Sequence, residues 1–345
     1  MAYTAVDDAG SFYNTKLYTG TGSSLAVTGV GFQPDFTWIK NRDAADFHVL
    51  TDAVRGATKY IQSNSTAAAV TDTETLKSFD SGGFTVGTTA QVNTSTEDYA
   101  SWNWKAGTTS VPSGGSITPS AVSLNATSGF SMIAYTGTGD TSNTIAHGLG
   151  AVPKMMFFKN REEVMAWVVY HQALGNTDYL VLDTTDATAS STTRWNDTTP
   201  TSTLLTIGNT DKINSVDIDY MGYVFADVQG YSKAFGYTGN GSTDGTFVYT
   251  GFSPAYILLK NADQGDGWNI YDIKRDPLNP TTIQLQPDTT AAESTVVNWK
   301  MDILSNGFKL LANSSESNGA GILYVGMAFA EAPFVNSSGV PVNAR

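Results

Sequence analysis

Three short strings decide the fold: YASWNW (Tyr99–Trp104), YMGYVF (Tyr220–Phe225) and YVGMAF (Tyr324–Phe329). Side chains alternate sides along a strand. Trp102 and Trp104 therefore share one face, with Tyr99, Ser101 and Asn103 on the other. Tyr223 with Phe225, and Met327 with Phe329, fill the matching positions, so a large apolar face recurs three times. That face is expected to be core, each side chain contributing roughly 1.5–3 kcal/mol on burial. Trp104→Asp should then unfold its unit.

Upstream of each string the same landmarks return. A Tyr-Thr-Gly-x-Gly turn stands at Tyr18 to Gly22, Tyr135 to Gly139 and Tyr237 to Gly241. Next comes an apolar run closed by Lys-Asn, with lysines at Lys40, Lys159 and Lys260 and a proline six residues before each, at Pro34, Pro153 and Pro254. The strings FHVL, WVVY and WNIY follow, beginning at Phe47, Trp167 and Trp268. Such runs, rich in β-branched and aromatic residues and bounded by Gly, Asn, Asp or Pro, read as strands. Internal repetition governs architecture, and here it predicts an all-β chain of three tandem homologous β-sandwich units, jelly-roll or lectin-like. The units are placed at 1–106, 130–229 and 230–345, with a Ser/Thr/Gly/Pro-rich linker at 107–129 in which SITPSAVSL could add an edge strand. The second and third units join through FADVQGYSKAFGY without a linker. Helix is expected only in short turns such as that around Val54.

Composition agrees. Charged residues make up 15% of the 345, against about 25% in an ordinary globular chain. Thr, Ser, Gly and Asn take their place and favour strands and turns. The net charge of −13 and the lack of any basic cluster argue against nucleic acid, whose phosphates need clustered cations. The same charge disfavours anionic membrane surfaces. No apolar run approaches the ~18 residues of a membrane span, and the start MAYTAVDDAGSF lacks the features of a secretory leader. With no cysteine, thiol catalysis and zinc–thiolate sites are excluded.

The stretches at 115–161 (GSITPSAVSLNATSGFSMIAYTGTGDTSNTIAHGLGAVPKMMFFKNR) and 225–262 (FADVQGYSKAFGYTGNGSTDGTFVYTGFSPAYILLKNA), with ILSNGFKLL and YVGMAFAEAPF beyond them, resemble a family of repeat domains common in tailed phages, especially marine and cyanobacterial ones. The resemblance reaches from about residue 18 to residue 334. It implies β-sandwiches in tail fibres and other virion surface proteins, made in the host cytoplasm and located on the tail or capsid. One departure is that the chain lacks the sustained heptads of a fibre shaft. A short tail fibre or receptor-contacting appendage is the leading reading, and a capsid or tail decoration or head-fibre protein the alternative. Its partners would be further copies of itself, a trimer being the first guess, other virion proteins and a host surface glycan or receptor.

An enzymatic reading finds little support. No nucleophile elbow, phosphate loop, dinucleotide fingerprint or zinc-protease motif is present. The three histidines, His48, His147 and His171, have no recurrent carboxylate partner, although His48 and His171 fall in corresponding parts of different units. A polysaccharide depolymerase would need two carboxylates across a cleft. Asp217 with Asp219 on one strand face, and Glu162 with Glu163, are the obvious pairs, better explained as solvated edges. No catalytic residue and no cofactor is assigned. Calcium is a lesser reading at Asn261, Asp263 and Asp266, or at Asp183 and Asp186, where Asx-turns suffice. Trp195 and Trp299 sit among polar residues and are the candidates for a glycan platform or interface anchor. The recurring Lys-Asn pair is assigned a role in the fold.

Overall fold

Each closing string lies inside a large antiparallel sheet of the computed structural model, which describes residues 3–342. Asp98–Trp104 runs between Tyr13–Thr19 and Phe36–Asn41. Asp219–Ala226 runs between Phe130–Thr136 and Pro153–Asn160. Leu323–Pro333 runs between Ser232–Thr238 and Phe252–Asn261. The registers agree as well: Trp104, Phe225 and Phe329 face Tyr13, Phe130 and Ser232 on one side. On the other side they face Phe36, Met155 and Tyr256. Val49–Asp52, Val168–His171 and Trp268–Asp272 extend the three sheets outward. Small sheets accompany them, built on Leu25–Thr28 with Gly83–Val86, Asn143–Ala146 with Leu204–Ile207, and Phe247–Tyr249 with Gly307–Leu310. The chain is all-β; helix among the described residues is confined to Ala90–Asn93 and two short 3-10 turns.

The apolar faces of the closing strands are buried as expected, but not within one sandwich. They meet where all three large sheets converge. Trp104, Phe225 and Phe329 form a triangle of rings with centroids 5.5–6.5 Å apart. Around it, Trp102, Tyr223, Met327, Phe36, Phe157 and Tyr256 join one continuous core. The opposite faces turn toward the small sheets. Tyr99, Ile39, Val49 and Phe84 cluster in the first repeat, and Tyr220, Phe158, Val168 and Leu205 in the second.

The three repeats close head to tail into a ring. The Ala69 N–H donates to the Arg161 carbonyl, Thr188 to Ala262, and Glu293 to Arg42, each at 2.8 Å. In parallel, the Trp167 indole donates to the Gln62 carbonyl, the Trp268 indole to Val181, and His48 Nε2 to Gln286. Second meets first, third meets second, and first meets third through equivalent atoms. A head-to-tail contact that closes after three copies is the geometry of a cyclic trimer, here made within one chain. Buried ion pairs brace two seams. Asp52 holds Arg55 at 2.6 Å and accepts the Tyr223 hydroxyl, while Asp272 holds Arg275 and accepts the Trp102 indole.

These contacts correct two sequence alignments. His48, not Phe47, stands at the position of Trp167 and Trp268, and His171 pairs with Met155 as Asp52 pairs with Phe36. His48 and His171 are therefore not equivalent. The segment expected as a linker also contains structure: Ala121–Asn125 pairs with Phe130–Thr136 as an edge strand, burying Val122 and Leu124.

The Tyr-Thr-Gly-x-Gly turn has a physical reason in all three copies. Tyr18, Tyr135 and Tyr237 stack on Tyr99, Tyr220 and Tyr324 at about 5 Å. A Cβ at Gly20, Gly137 or Gly239 would lie 2.0–2.2 Å from a backbone oxygen, so only glycine fits.

Candidate functional site

The residues singled out in the sequence serve mainly the frame. Each histidine is buried and uses both ring nitrogens. His48 Nδ1 accepts the Trp38 indole, His147 Nδ1 accepts the Leu149 N–H, and His171 Nδ1 accepts the Ala173 N–H. Their Nε2 atoms face the carbonyls of Gln286, Thr201 and Gly326. Burial holds all three below the usual imidazole range, His171 at about 4, so they are neutral at physiological pH. Lys40, Lys159 and Lys260 are buried too, and desolvation lowers each to about 8. Lys159 donates across a seam to the Thr66 carbonyl and Lys260 across the next to Thr185, each with a second bond in its own repeat to Met165 and Asp266, whereas Lys40 serves its own loop at Asn41 and Ala44. The asparagine after each lysine forms an Asx-turn, as at Asn160 with the N–H groups of Glu162 and Glu163.

The carboxylates are similarly occupied. Asp217 has φ 59° in a turn before the strand that starts at Asp219, so the two do not share a strand face, contrary to expectation. Asp219 accepts the Thr136 hydroxyl. Of the calcium candidates, Asp263 accepts the Leu323 N–H, Asp266 the Asn261 amide, Asp183 the Trp167 N–H and Asp186 the Thr184 hydroxyl. No group of three or more His, Asp or Glu among the described residues could hold a metal ion.

Trp195 is 1% exposed, packs on Phe158 and Tyr170, and donates its indole N–H to the Asp178 carbonyl. Its ring has no open face for a sugar, which corrects its reading as a platform. Trp299 is half-buried in the 3-10 turn Val297–Trp299, beside exposed Val297.

A groove lies in the same place on each repeat, between the edge of the large sheet and the end of the first strand of the small one. In the second repeat the segment before Phe130 covers it. Ile117 donates to the Thr144 carbonyl, and a Cβ at Gly148 would stand 2.6 Å from Leu124 and 2.8 Å from Pro112. In the first repeat the groove is open, about 320 Å³, with Asn14, Thr15, Lys16, Gly29 and Lys274 around it. In the third it is open at about 390 Å³, lined by Tyr3, Asp227, Gln229, Ser232, Lys233 and Tyr249. Volumes of ~300–1,000 Å³ are those of small-ligand sites.

The third groove differs from the other two in chemistry. Tyr249 is 50% exposed and Phe247 44%, while Val248 between them points inward. By register, Tyr249 replaces Thr28 and Ala146, and Phe247 replaces Ala26 and Thr144. Lys233, at the position of Asn14 and Ser131, donates to the Tyr249 carbonyl at 2.9 Å and lies 5.2 Å from the Tyr249 ring centroid. Tyr3 reaches over from the N-terminal segment, donating to the Gly251 carbonyl at 2.9 Å, with the Tyr249 hydroxyl 3.3 Å away. Burial, reinforced by Tyr249 and opposed by a Gln229 hydrogen bond, pushes the Tyr3 phenol up to about 12. Asp227 accepts the Ala234 N–H through one oxygen. The site thus offers an aromatic surface, acceptors and donors, which suits binding. The sequence signal was the outward pair in FVY set against LAVT and NTIA, visible only once the repeats are aligned strand by strand.

The chain belongs to a family described as a domain of unknown function, DUF7483, which matches residues 8–333. None of the curated proteins compared with it matches.

Proposed function

We propose that this member of the family is a non-enzymatic structural protein of a tailed-phage particle, acting as a short tail fibre or appendage that contacts a host receptor. The observation that carries the binding part is the third groove, where exposed Tyr249 and Phe247 stand at register positions that hold Thr28 and Ala26, or Ala146 and Thr144, in the other repeats. The phage setting rests on the resemblance of the long repeat strings. The frame is read as three homologous sandwich-like units, at 1–106, 130–229 and 230–345, with 107–129 crossing the groove of the second. No cofactor enters this reading, and the location is the virion surface. Because the ring closes within one chain, a homo-oligomer, with a trimer as the first guess, would assemble through outer surfaces and gain avidity from repeated weak sites.

Decoration of a capsid or tail lattice is the second reading, favoured by the ring that closes within the described residues. A depolymerase ranks below both, since the carboxylates of Asp219, Glu162 and Glu163 accept bonds from the Thr136 hydroxyl, the Asp219 N–H and the Asn160 amide. Cryo-electron microscopy of the particle separates the first two: a few copies at the tail tip support attachment, and hundreds on the capsid lattice make it decoration.

A further inference from the structure

We propose that the third-repeat groove binds a neutral sugar residue, its C–H face against the exposed Tyr249 ring and its hydroxyls on Asp227, Gln229 and Lys233. The inference rests on the attachment reading of that site and names the ligand class.

A sugar ring has an apolar face and a rim of hydroxyls that both donate and accept. The groove has the matching pieces within one small volume. Tyr249 supplies a half-exposed aromatic surface on a strand, which fixes its backbone position. Asp227 is exposed, and only one of its oxygens accepts a hydrogen bond among the described residues, leaving the second for a hydroxyl. Gln229 is exposed and sits beside the Tyr3 hydroxyl, contributing both a donor and an acceptor. Lys233 directs one proton to the Tyr249 carbonyl and retains others, since an ammonium has three.

Charge selects a neutral ligand. An anionic sugar would bring its carboxylate toward Asp227 in a chain whose net charge is −13, and among the described residues lining the groove Lys233 is the one cation. Phe247 lies two residues from Tyr249 on the same outward face, about 7 Å away at the rise of an antiparallel strand. It is placed to meet a second sugar, so a disaccharide should bind more tightly than its monosaccharide. The other two grooves serve as internal controls: one is covered, and the other has Thr28 in place of the aromatic.

The test is saturation-transfer NMR and calorimetry on the full chain. The probes are the methyl glycosides of glucose, galactose and mannose, N-acetylglucosamine, cellobiose, lactose and mannobiose, with glucuronate as the anionic counterpart. The inference expects saturable binding of at least one neutral sugar, a gain for its disaccharide, and at least a tenfold loss in Tyr249→Ala. Thr28→Ala should leave binding unchanged, and Tyr249→Phe should retain most of it. Circular dichroism of each variant separates lost binding from lost folding. No binding by any neutral sugar, a preference for glucuronate, or full binding by folded Tyr249→Ala would overturn it. A protein that adheres to host cells through this groove yet takes none of these sugars refutes the sugar inference and leaves the attachment reading standing. Sugar binding by a chain found only on the capsid lattice does the reverse.

Discussion

The interiors of the second and third repeats occupy the same place in the same frame, and the third puts polar residues at several positions that are apolar in the second. In the second, Phe158, Val168, Ile213 and Trp195 pack with Leu205 and Ile207, and Tyr179 lies against them. At the register positions of Val168 and Tyr179 the third repeat has Asn269 and Gln284. Ser317 precedes Asn318 as Ile213 precedes Asn214, the two asparagines that receive the Tyr-Thr-Gly turn. Asn269 Oδ1, Gln284 Oε1, Ser317 Oγ and Asp288 Oδ2 are all buried without a partner. Each such group costs about 1–3 kcal/mol. The third repeat thus holds unpartnered polar atoms where the second holds apolar side chains, and it also exposes Phe247 and Tyr249 outside. Departures from local rules collect where function is carried, and the outward aromatic pair is the departure that the first and second repeats do not share.

The comparison can be broken outright at the centre. Trp104→Asp places a carboxylate among Phe225, Phe329, Tyr13 and Tyr256. A buried unpaired charge should cost more than about 4–5 kcal/mol, and because the triangle is shared, all three repeats should unfold together. Loss of only the first repeat's signal in hydrogen exchange would show that the shared core is not cooperative.

Next in size are matched substitutions in the two interiors. Phe158→Ala should destabilise by about 3–5 kcal/mol, the usual cost of emptying a packed aromatic site. Asn269→Val, by contrast, should be neutral or stabilise by about 1 kcal/mol, since it removes an unpaired acceptor. Urea midpoints of the two variants decide this, and equal losses would erase the distinction between the interiors.

The smallest effect is a pH dependence at Glu316 of the third repeat. Burial, then the neighbouring Asp266, raises Glu316 from 4.5 to about 7. A carboxyl with a raised folded-state pKa stays protonated longer in the native state, so its contribution is complete below about pH 4.5 and falls as pH rises toward 7. Asp288, raised to about 6 mainly by burial, acts in the same direction. Glu316→Gln should therefore gain stability relative to the wild type as pH rises across that window. Parallel pH profiles for the two proteins would rule the effect out.

The frame was readable because its constraints are local and repeat. The stacked tyrosines, the glycines pressed on a carbonyl and the Asx-turn asparagines each demand a residue type at a fixed spacing, and three copies make the spacing conspicuous. What could not be read was where the apolar faces go. Trp104 on a period-2 face looks the same whether it meets its own small sheet or two other repeats, and only tertiary geometry shows the second. The His48 and Trp167 equivalence was hidden by Phe47, an aromatic one position away that made the wrong register look better. Trp195 was misjudged because its polar neighbours in sequence are not its neighbours in space. Tyr249 was missed because FVYTGF reads as an ordinary strand until Thr28 and Ala146 are placed beside it.

The proposal that the third repeat carries a receptor contact is tested most directly by hydrogen–deuterium exchange of the full chain, with and without a bacterial envelope extract. The account predicts slowed exchange at 227–233 and 247–251, with the matching segments 8–14 and 26–30 of the first repeat unchanged. Slowing at the first-repeat groove instead, or no slowing anywhere, would contradict it.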